Sequence, residues 1–432
     1  MLRAIYSLAL WLALPLLLAK LWVRGRKEPG YLKGREERFG RYAITPPAPI
    51  IWVHAVSVGE VRASVPLIAA LRTEFPGHAI LLTCMTAAGR EAIEHAFGDS
   101  VFAAYLPYDY RFAMKMFLDH FEPVFGVLVE TEIWINLLAE CKRRDIPMLL
   151  ANGRMSPRSA RAYRRLSALT RPAFESLAVV CAQSEADANR IASLGAHHVG
   201  ISGNLKFDVQ PDEGLIAAGI AFRSTFADKR VLVLASTREG EEALLINALA
   251  GRLEDDVLVI IVPRHPQRFD DVAALLAASG IACARRSKGE SVHGKKVLLG
   301  DTMGEMTAYF AASDVAVIGG SFLPFGGQNL IEACSIGVPV IVGPYMHNFS
   351  EAVRNAVDCG AAIQVANAQL AITSAFDLLS NPARRNKMGA AGRAFCDTHR
   401  GATAKHMMSI RTSLGLPQKQ RPEPPTRAAR PY

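Results

Sequence analysis

Short, continuous apolar runs alternate with helix-like segments along most of this chain, and this alternation constrains the fold more than any other feature. Six runs lie between residues 50 and 183, and five more between residues 231 and 344. They are rich in β-branched residues and apolar throughout, rather than at every second position. Such strands are buried on both faces, which is typical of a parallel sheet covered by helices. The sequence therefore predicts an α/β fold.

The two series of runs predict two doubly wound, Rossmann-like domains facing a cleft. A length of 432 residues is too great for one ordinary core. Between the series, "GNLKFDVQPDEG" is rich in turn-forming residues and marks the boundary. We therefore predict a membrane anchor with a basic flank at 1–30, a first domain at 31–208, a second domain at 209–384, a helical segment at 385–415 that packs back on the first domain, and a disordered Pro/Arg-rich tail at 416–432.

The positive charge of the chain lies at its two ends. The formal net charge is +9, of which residues 1–41 carry +6 and residues 417–432 carry +3. A nucleic-acid-binding protein usually carries its basic surface on the folded part. The charge lies instead beside an apolar segment, so we expect a membrane surface as partner and no nucleic acid.

That apolar segment, Ala4–Val23, is close to the length of about 20 residues that spans a bilayer. Pro15 and Lys20 weaken it as a span, and no small-x-small cleavage site follows it. Basic residues are concentrated after the segment, which places the bulk of the protein on the cytoplasmic side. The sequence favours a signal-anchor or an in-plane membrane helix over a cleaved signal peptide.

Several chemistries lack their motifs. The chain has no G-x-G-x-x-G after a strand, no P-loop, no G-x-S-x-G around Ser57 and no D-x-D. Its seven cysteines are scattered without a C-x-x-C pair, which argues against a disulfide framework and a zinc site and fits a reducing compartment. We expect neither a cofactor nor a metal ion, and a site built from protein groups alone.

"WVHAVSVGEV" ends a predicted strand in Ser57-Val58-Gly59-Glu60. The spacing of Ser57 and Glu60 is that of a helix capping box. The same glutamate stands at the carboxyl end of a strand, where open α/β sheets bind their ligands. A cap would turn Glu60 back to the Ser57 N–H, whereas a catalytic base would point to a substrate. The spacing alone leaves both interpretations open.

In the second half, "GGSFLPFGGQNLIEA" takes a strand into a loop with Gly326 and Gly327, then into a helix near Asn329 with Glu332 in its first turn. Glycines allow a ligand to approach the backbone, and a helix N-terminus offers N–H groups to a phosphate. Glu332 could accept hydrogen bonds from ribose hydroxyls. An ordinary strand-to-helix loop explains the pattern equally well.

Two further strand ends carry polar residues. Ser236 and Thr237 precede an acidic helix start, which favours helix capping over phosphate binding. Arg264 and His265 lie between two prolines after a strand, and a stiffened pair of this kind favours an anion contact.

The first half carries acidic and basic candidates. Glu130 and Glu132 follow a strand, and we expect at most one to reach a substrate because alternate strand residues face opposite ways. Helical spacing would place one set of arginines on a single face. That face could be merely solvated, or it could receive anionic lipid head groups. The set is Arg154, Arg158, Arg161 and Arg165.

In their order along the chain, these motifs resemble the 3-deoxy-D-manno-octulosonic acid (Kdo) transferase family. The resemblance covers about residues 31–350 through "WVHAVSVGEV", "ETEIW", "NGRMSPRSARAYRR", "SGNLKFD", "ASTREGEE", "PRHPQRF", "GDTMGEM" and "GGSFLPFGGQNLIEA". It implies a GT-B fold with an N-terminal membrane-associated helix. It also implies an inverting, metal-independent transfer of Kdo from CMP-Kdo to the lipid A precursor (lipid IVA) at the cytoplasmic face of the inner membrane.

The resemblance also implies roles for individual residues. Glu60 matches the proposed general base of the family. The acceptor side would include Ser57, Gly59, Glu132, Arg154, Arg158 and Arg161. The CMP-Kdo site would include Ser236, Thr237, Arg264, His265, Gly304, Glu305, Gly326, Gly327, Asn329 and Glu332. The chain departs from the family pattern at Ile135, Gln328 and Leu330, which bears on loop shape or specificity rather than reaction class.

Two other functions stay open at this point. Another enzyme of the same fold, such as a nucleotide-sugar 2-epimerase or a UDP-sugar transferase, would explain the second-half motifs but not the membrane segment with the arginines. A membrane-tethered binding module without catalysis would release no CMP when donor and acceptor are supplied.

Overall fold

The chain folds into two compact units, and a computed structural model describes residues 2–226 and 229–417. The first unit comprises Met1–Val209 and the stretch from Gly401 onward, and the second unit is Gln210–Arg400. The chain therefore first leaves the first unit one residue after the predicted boundary at 208. Most of the tail predicted to be disordered lies outside the described residues.

Each unit contains one parallel sheet of seven strands. The first sheet has the order β3-β2-β1-β4-β5-β6-β7 and the second β10-β11-β9-β8-β12-β13-β14. The strands are β1 Ile50–His54, β2 Ala79–Cys84, β3 Phe102–Tyr105, β4 Phe125–Val129, β5 Met148–Gly153, β6 Leu177–Ala182, β7 Val199–Ile201, β8 Arg230–Thr237, β9 Val257–Pro263, β10 Cys283–Arg285, β11 Val297–Leu299, β12 Val315–Ile318, β13 Val340–Val342 and β14 Ala362–Gln364.

Helices connect the strands and cover the sheets. They are α1 Leu2–Lys27, α2 Val58–Glu74, α3 Ala87–Phe97, α4 Arg111–Phe121, α5 Ile135–Arg143, α6 Pro157–Arg165, α7 Ser167–Glu175, α8 Glu185–Ala192, α9 Glu213–Ser224, α10 Glu241–Leu249, α11 Phe269–Ala278, α12 Met306–Ala311, α13 Ile331–Ser335, α14 Ser350–Asp358, α15 Ala368–Leu379, α16 Pro382–His399 and α17 Ala402–Ser413.

All eleven predicted strands are present, and the α/β class is confirmed. The central strands are apolar along their whole length because both faces are covered; every residue of β1, β4 and β9 is buried. The three strands that the sequence did not reveal, β7, β10 and β14, lie at sheet edges and have three residues each. An edge strand is partly exposed, so its sequence lacks the continuous apolar signal.

The predicted C-terminal helical segment consists of two helices that belong to different units. Helix α16 packs against α13 in the second unit, whereas α17 packs against α2 and β6 in the first. The prediction that residues 385–415 as a whole pack on the first domain is therefore wrong for α16. The break at Gly401, where φ is +96°, separates them. Asp208 accepts hydrogen bonds from the N–H groups of Gly401 (2.7 Å) and Thr403.

Candidate active site

Glu60 lies in the first turn of α2, where the chain leaves the carboxyl end of β1. The Ser57 N–H donates to Glu60 Oε2 at 3.1 Å, and a capping box is formed. Burial, followed by the carboxylates of Glu130 and Glu132, raises the pKa of Glu60 to about 8. The sequence offered a cap and a base as alternatives; the structure shows the cap, together with a pKa suited to a base that works near neutral pH.

Gly59, next to Glu60 in the chain, has open space around its Cα. A methyl group at Gly59 would meet only Ser57 Oγ, at 3.9 Å, and the backbone there has no positive φ. Neither close packing nor backbone conformation therefore requires a glycine at this position. The open space is consistent with room for a ligand.

Glu130 and Glu132 follow β4, and both lie near Glu60. Both act on the pKa of Glu60, because Glu130 has a φ of +66° and interrupts the alternation of the strand. The expectation that at most one of them reaches a substrate stays a prediction. Trp134 Nε1 donates to Glu132 Oε2 at 2.7 Å. Burial, opposed in part by this hydrogen bond, raises the pKa of Glu132 to about 7.

Glu130 lies beside two cationic side chains. Lys206 Nζ lies 3.0 Å from Glu130 Oε1, and both side chains are largely buried. Burial alone would raise the pKa of Glu130, but Lys206 and Arg154 outweigh it and lower the pKa. Lys206 and Arg154 therefore favour the charged form of Glu130, which lies beside Glu60. The role of Lys206 was not apparent from the sequence, because it comes from "SGNLKFD", far along the chain.

The arginine run begins two residues after an unusual backbone position. Asn152 is fully buried at the end of β5 with a φ of +54°. Its N–H donates to His406 Nε2 of α17 at 2.8 Å, and His406 Nδ1 lies 2.7 Å from Ala402 O. This pattern requires the neutral Nδ1–H tautomer, and burial lowers the pKa of His406. The returning helix thus supports the segment that carries Arg154.

The predicted arginine face is only partly helical. Helix α6 begins at Pro157, so Arg154 lies in the preceding loop, near Glu130, and is not part of that face. Arg158 and Arg161 are exposed on α6. The prediction of four arginines on one helical face is wrong, because a proline fits the first position of a helix and sets its start.

In the second unit, the strand end at β8 holds a strained backbone. Ser236 has a φ of +58°, and Thr237 Oγ1 donates to Glu242 at 3.2 Å. Helix α10 begins four residues later with Gly240 as its N-cap, so the favoured interpretation of Ser236 and Thr237 as caps is wrong. Backbone strain in a non-glycine residue is typical of ligand-binding positions.

A cationic group lies beside this strand end. The Arg264 N–H donates to Thr237 O at 2.9 Å, and the Arg238 guanidinium lies over the Phe325 ring at 4.6 Å. Burial, together with the charges of Arg238 and Arg264, lowers the pKa of His265. The predicted pair Arg264 and His265 therefore has a third member, Arg238. This arginine belongs to the motif "ASTREGEE", but its position in the sequence did not indicate that it lies beside the pair.

The paired glycines follow β12. Both have positive φ, +96° at Gly326 and +83° at Gly327, and a side chain at either would collide with the segment 346–348. Asn329 Oδ1 accepts a hydrogen bond from Ile331 N–H at 3.1 Å at the start of α13, which confirms the predicted helix with Glu332 in its first turn.

The remaining predicted donor residues lie around α12. Glu332 accepts a hydrogen bond from Thr307 Oγ1 at 2.6 Å. Glu305 pairs with Arg286 at 2.8 Å, and this hydrogen bond is the main reason that the pKa of Glu305 is lowered. Gly304 is exposed with a φ of +84°. Glu305 therefore already has a partner in its own unit, whereas its role toward a donor stays a prediction.

Comparison with known proteins places these features in a class. Residues 33–209 match the model of 3-deoxy-D-manno-octulosonic-acid transferase (kdotransferase), and residues 292–395 match glycosyl transferases group 1. Among solved structures, UDP-GlcNAc 2-epimerase from Neisseria meningitidis superposes with a TM-score of 0.58 at 14% identity, covering 84% of this chain and 100% of that chain. The Anabaena protein HepE, solved with UDP, gives 0.60 at 13% identity, covering 85% and 100%. The fold and motifs thus define a GT-B-like glycosyltransferase.

Curated relatives identify the family. A 3-deoxy-D-manno-octulosonic acid transferase from Bordetella pertussis is 43% identical over 96% of this chain and 100% of its own length. The enzyme of the same name from Haemophilus influenzae is 34% identical over 93% of this chain and 96% of its own length. The chain belongs to the Kdo transferase family, and its activity is the transfer of Kdo.

Proposed function

We propose that this enzyme transfers Kdo from CMP-Kdo to a lipid A precursor, lipid IVA, at the cytoplasmic face of the inner membrane. The reaction is a single displacement with inversion at the anomeric carbon. A hydroxyl of the acceptor attacks that carbon, its proton passes to Glu60, and the bond to the CMP phosphate breaks. The family membership supports Kdo transfer, and the residues below support the finer assignments.

The raised pKa of Glu60 is the observation that carries this mechanism. A general base works best when its pKa is near the pH of the reaction, and it contributes about 10²–10⁴ to the rate. Burial and two neighbouring carboxylates move the pKa of Glu60 from the usual range of a glutamate to about 8. Turning away from the Ser57 N–H toward the open space at Gly59 would expose Oε2 to an acceptor hydroxyl.

The leaving phosphate requires positive charge, which the second unit offers without a metal ion in this proposal. Arg238, Arg264 and His265 affect one another electrostatically at one sheet edge. Preorganised cations of this kind stabilise charge that develops on a leaving group. We assign this cluster to the CMP phosphate and the Kdo carboxylate, and Glu332 to the ribose.

The acceptor carries phosphates and acyl chains, and the first unit offers a partner for each. Arg158 and Arg161 are exposed on α6, and Leu166, directly after this helix, is 60% exposed. Tyr163 of the same helix is close enough to Glu132 for that carboxylate to contribute, after burial, to its raised pKa. The basic helix therefore lies between the carboxylates around Glu60 and an apolar surface.

Helix α1 supplies most of that apolar surface. It is the one helix in the described chain that is long and apolar enough to cross a membrane, although length and composition also admit a signal sequence. Its outward side chains are large and apolar, and they include Leu12 and Leu16, each 74% exposed. The less exposed positions recur every three or four residues and form one stripe along the helix: Tyr6, Ser7, Leu10, Ala13, Leu14, Leu17, Leu21 and Gly25.

Contacts at both ends hold α1 along the first unit. Tyr6 Oη donates to Asp109 at 3.0 Å, and Tyr110 Oη donates to Leu10 O at 2.7 Å. Near its other end, Gly25 packs closely on Leu32. A helix that crosses a bilayer would have to leave these contacts. We therefore propose that α1 lies in the membrane plane, with its apolar outer face in the acyl boundary.

The depth of two tryptophans tests this orientation. Trp11 and Trp22 are both about half exposed on α1, at 51% and 54%. An in-plane helix places them at equal depth, whereas a spanning helix separates them by about 16 Å along its axis. Quenching by lipids brominated at defined depths should give the same profile in Trp11→Phe and Trp22→Phe. Different profiles would contradict the in-plane arrangement.

A transfer assay tests the function itself. Purified protein with CMP-Kdo and lipid IVA in vesicles should release CMP and give a product that is heavier by one or more Kdo residues. UDP-GlcNAc in place of CMP-Kdo is the control for the epimerase-like fold. CMP binding without release of CMP would favour a binding module, and turnover of the UDP sugar would overturn the proposed donor.

A further inference from the structure

Glu241, the first residue of α10, is a buried carboxylate with an unusual set of donors. Its side chain is fully buried. Oε2 accepts hydrogen bonds from the N–H groups of Gly320 (2.6 Å) and Arg238 (2.9 Å), and Oε1 accepts from the N–H of Phe322 (2.7 Å). Three backbone donors satisfy a carboxylate that could not otherwise remain in the interior.

These donors come from two separate loops. We call residues 236–240, after β8, the serine turn, and residues 319–330, after β12, the glycine loop. Strands β8 and β12 are neighbours in the second sheet. Glu241 is the group that accepts from both loops, since Arg238 belongs to the serine turn and Gly320 and Phe322 belong to the glycine loop.

The two loops also touch directly. A methyl group at Gly319 would lie 2.6 Å from Thr237 Cα and 2.7 Å from Ser236 O, so the backbones meet without space for a side chain. Further out, the Arg238 guanidinium stacks on the Phe325 ring. Glu241 therefore lies at the inner end of a contact that continues to the surface. The spacing of the serine turn and the glycine loop depends on the groups that hold the two loops together.

The carboxylate also determines which N–H groups a ligand can use. A glycine-rich loop after a strand commonly binds an anion through its backbone N–H groups. Here the N–H groups of Gly320 and Phe322 already bind an anion that belongs to the protein. A donor phosphate must therefore use groups other than these two N–H donors, and we assign more of its charge to Arg238 and Arg264.

We propose that Glu241 is a positioning residue for the nucleotide-sugar donor, because it fixes the serine turn against the glycine loop. The inference rests on the proposed function insofar as these loops are the donor site. Loss of the carboxylate leaves three buried N–H groups short of an acceptor and frees the glycine loop. Donor affinity should then fall, whereas the base in the other unit stays intact.

The adjacent residue provides a matched control. Glu242 is 1% exposed on the same turn of α10, but its contacts are Thr237 Oγ1 at 3.2 Å and Arg268 at 3.5 Å. Glu241→Gln and Glu242→Gln each remove one buried charge from α10. Only the first removes an acceptor of the glycine loop, so general damage to the unit would affect both variants alike.

Hydrogen exchange and donor kinetics together test the proposal in the full-length enzyme. Glutamine keeps one acceptor oxygen, so in Glu241→Gln exchange should accelerate at least tenfold at one or both of Gly320 and Phe322, which donate to different oxygens of the carboxylate. The KM for CMP-Kdo and the Kd for CMP should also rise at least tenfold, with kcat reduced less than threefold. Glu242→Gln should retain wild-type exchange at these two amides. Glu241→Asp keeps the charge and should recover part of the affinity; it replaces the glutamine variant if that variant does not fold.

Two results would overturn the role of Glu241. One is faster exchange at either amide with nucleotide affinity unchanged within twofold. The other is an equal loss of affinity and of amide protection in Glu241→Gln and Glu242→Gln. UDP is tested beside CMP. Wild-type protein that binds UDP and not CMP would overturn the proposed donor. The affinity of Glu241→Gln for UDP would then decide the role of Glu241.

Discussion

Each unit builds a seven-stranded parallel sheet, and the two units use a glutamate near the carboxyl ends of its strands in different ways. Glu241 in the second unit accepts three backbone hydrogen bonds, which join two loops. Glu60 in the first unit accepts from Ser57 and lies beside Glu130 and Glu132, which help to raise its pKa to about 8. Three donors from two loops suit Glu241 to hold structure, whereas burial and two neighbouring carboxylates suit Glu60 to take a proton.

The largest expected effect is on the carboxylate with few donors. Glu60→Gln should lower kcat by about 10²–10⁴, because the amide cannot accept the proton of the acceptor hydroxyl. The melting temperature should stay within about 2 °C of wild type at pH 7, because glutamine also serves in a capping box. A transfer assay and a thermal melt measure the two quantities. Retained activity with a lower melting temperature would mean that Glu60 is only a cap.

A second prediction concerns the charge that sets the pKa of Glu60. The ionised base forms as pH rises through about 8, so kcat/KM should rise up to that pH and then level off. Lys206→Met removes the cation that keeps the pKa of Glu130 low. The pKa of Glu130 then rises, its repulsion of Glu60 falls as it becomes protonated, and the rising limb should move to lower pH. An unmoved or alkaline-shifted limb would contradict this coupling.

The same variant should also lose stability, by about 3 kcal/mol, because it leaves a buried carboxylate without its ion-pair partner. Its control is Arg171→Met, which removes an exposed pair with Glu175 at the similar distance of 2.8 Å. That change should cost less than about 1 kcal/mol. Urea unfolding of both variants measures the difference.

In the second unit, Gly319→Ala should separate the serine turn from the glycine loop. The added methyl group would meet the backbone of Thr237 at 2.6 Å, and such overpacking costs about 1–3 kcal/mol. We expect a lower melting temperature and a higher KM for CMP-Kdo. At Gly200 a methyl group meets nothing within 4 Å, so Gly200→Ala is the control. An unchanged KM in Gly319→Ala would show that donor binding does not depend on the contact between the two loops.

The smallest effect tests whether the first unit also contains a carboxylate held by donors. Asp109 accepts from the N–H groups of Asn136 and Leu137, both at 2.9 Å, and from Tyr6 Oη. Tyr6→Phe leaves the two backbone donors in place and should cost only about 1 kcal/mol. It should also loosen α1, which protease sensitivity near the N-terminus would report. Tyr345→Phe, at a residue 43% exposed, is the control.

The sequence predicted much of this architecture because burial leaves a regular trace. Strands covered on both faces read as continuous apolar runs, and polar residues at their ends share one sheet edge. Edge strands such as β7 gave no such trace. The apolar N-terminal segment was visible, but its docking through Tyr6 and Asp109 depends on residues more than 100 positions apart.

The site was predicted less completely because its geometry depends on backbone exceptions and distant partners. Glu130 and Ser236 have positive φ, which glutamate and serine rarely adopt, so their residue types did not predict this conformation. The location of Lys206 beside Glu130, and of Glu241 beneath the glycine loop, likewise depends on contacts between segments far apart in the chain. The motifs predicted which segments form the site, whereas the tertiary contacts determine which of its carboxylates are charged.

The hydrogen bond from Asn152 to His406 has a consequence for biosynthesis. The two residues are 254 positions apart, and the whole second unit is translated between them. On the ribosome, the N–H of Asn152 at the end of β5 therefore lacks its acceptor until α17 has been synthesised, long after the strands of the first sheet have emerged. A fragment that ends at Arg400 should be cleaved near Asn152 by a protease that leaves the full-length chain intact. The first unit can therefore be completed only after the second unit has been synthesised.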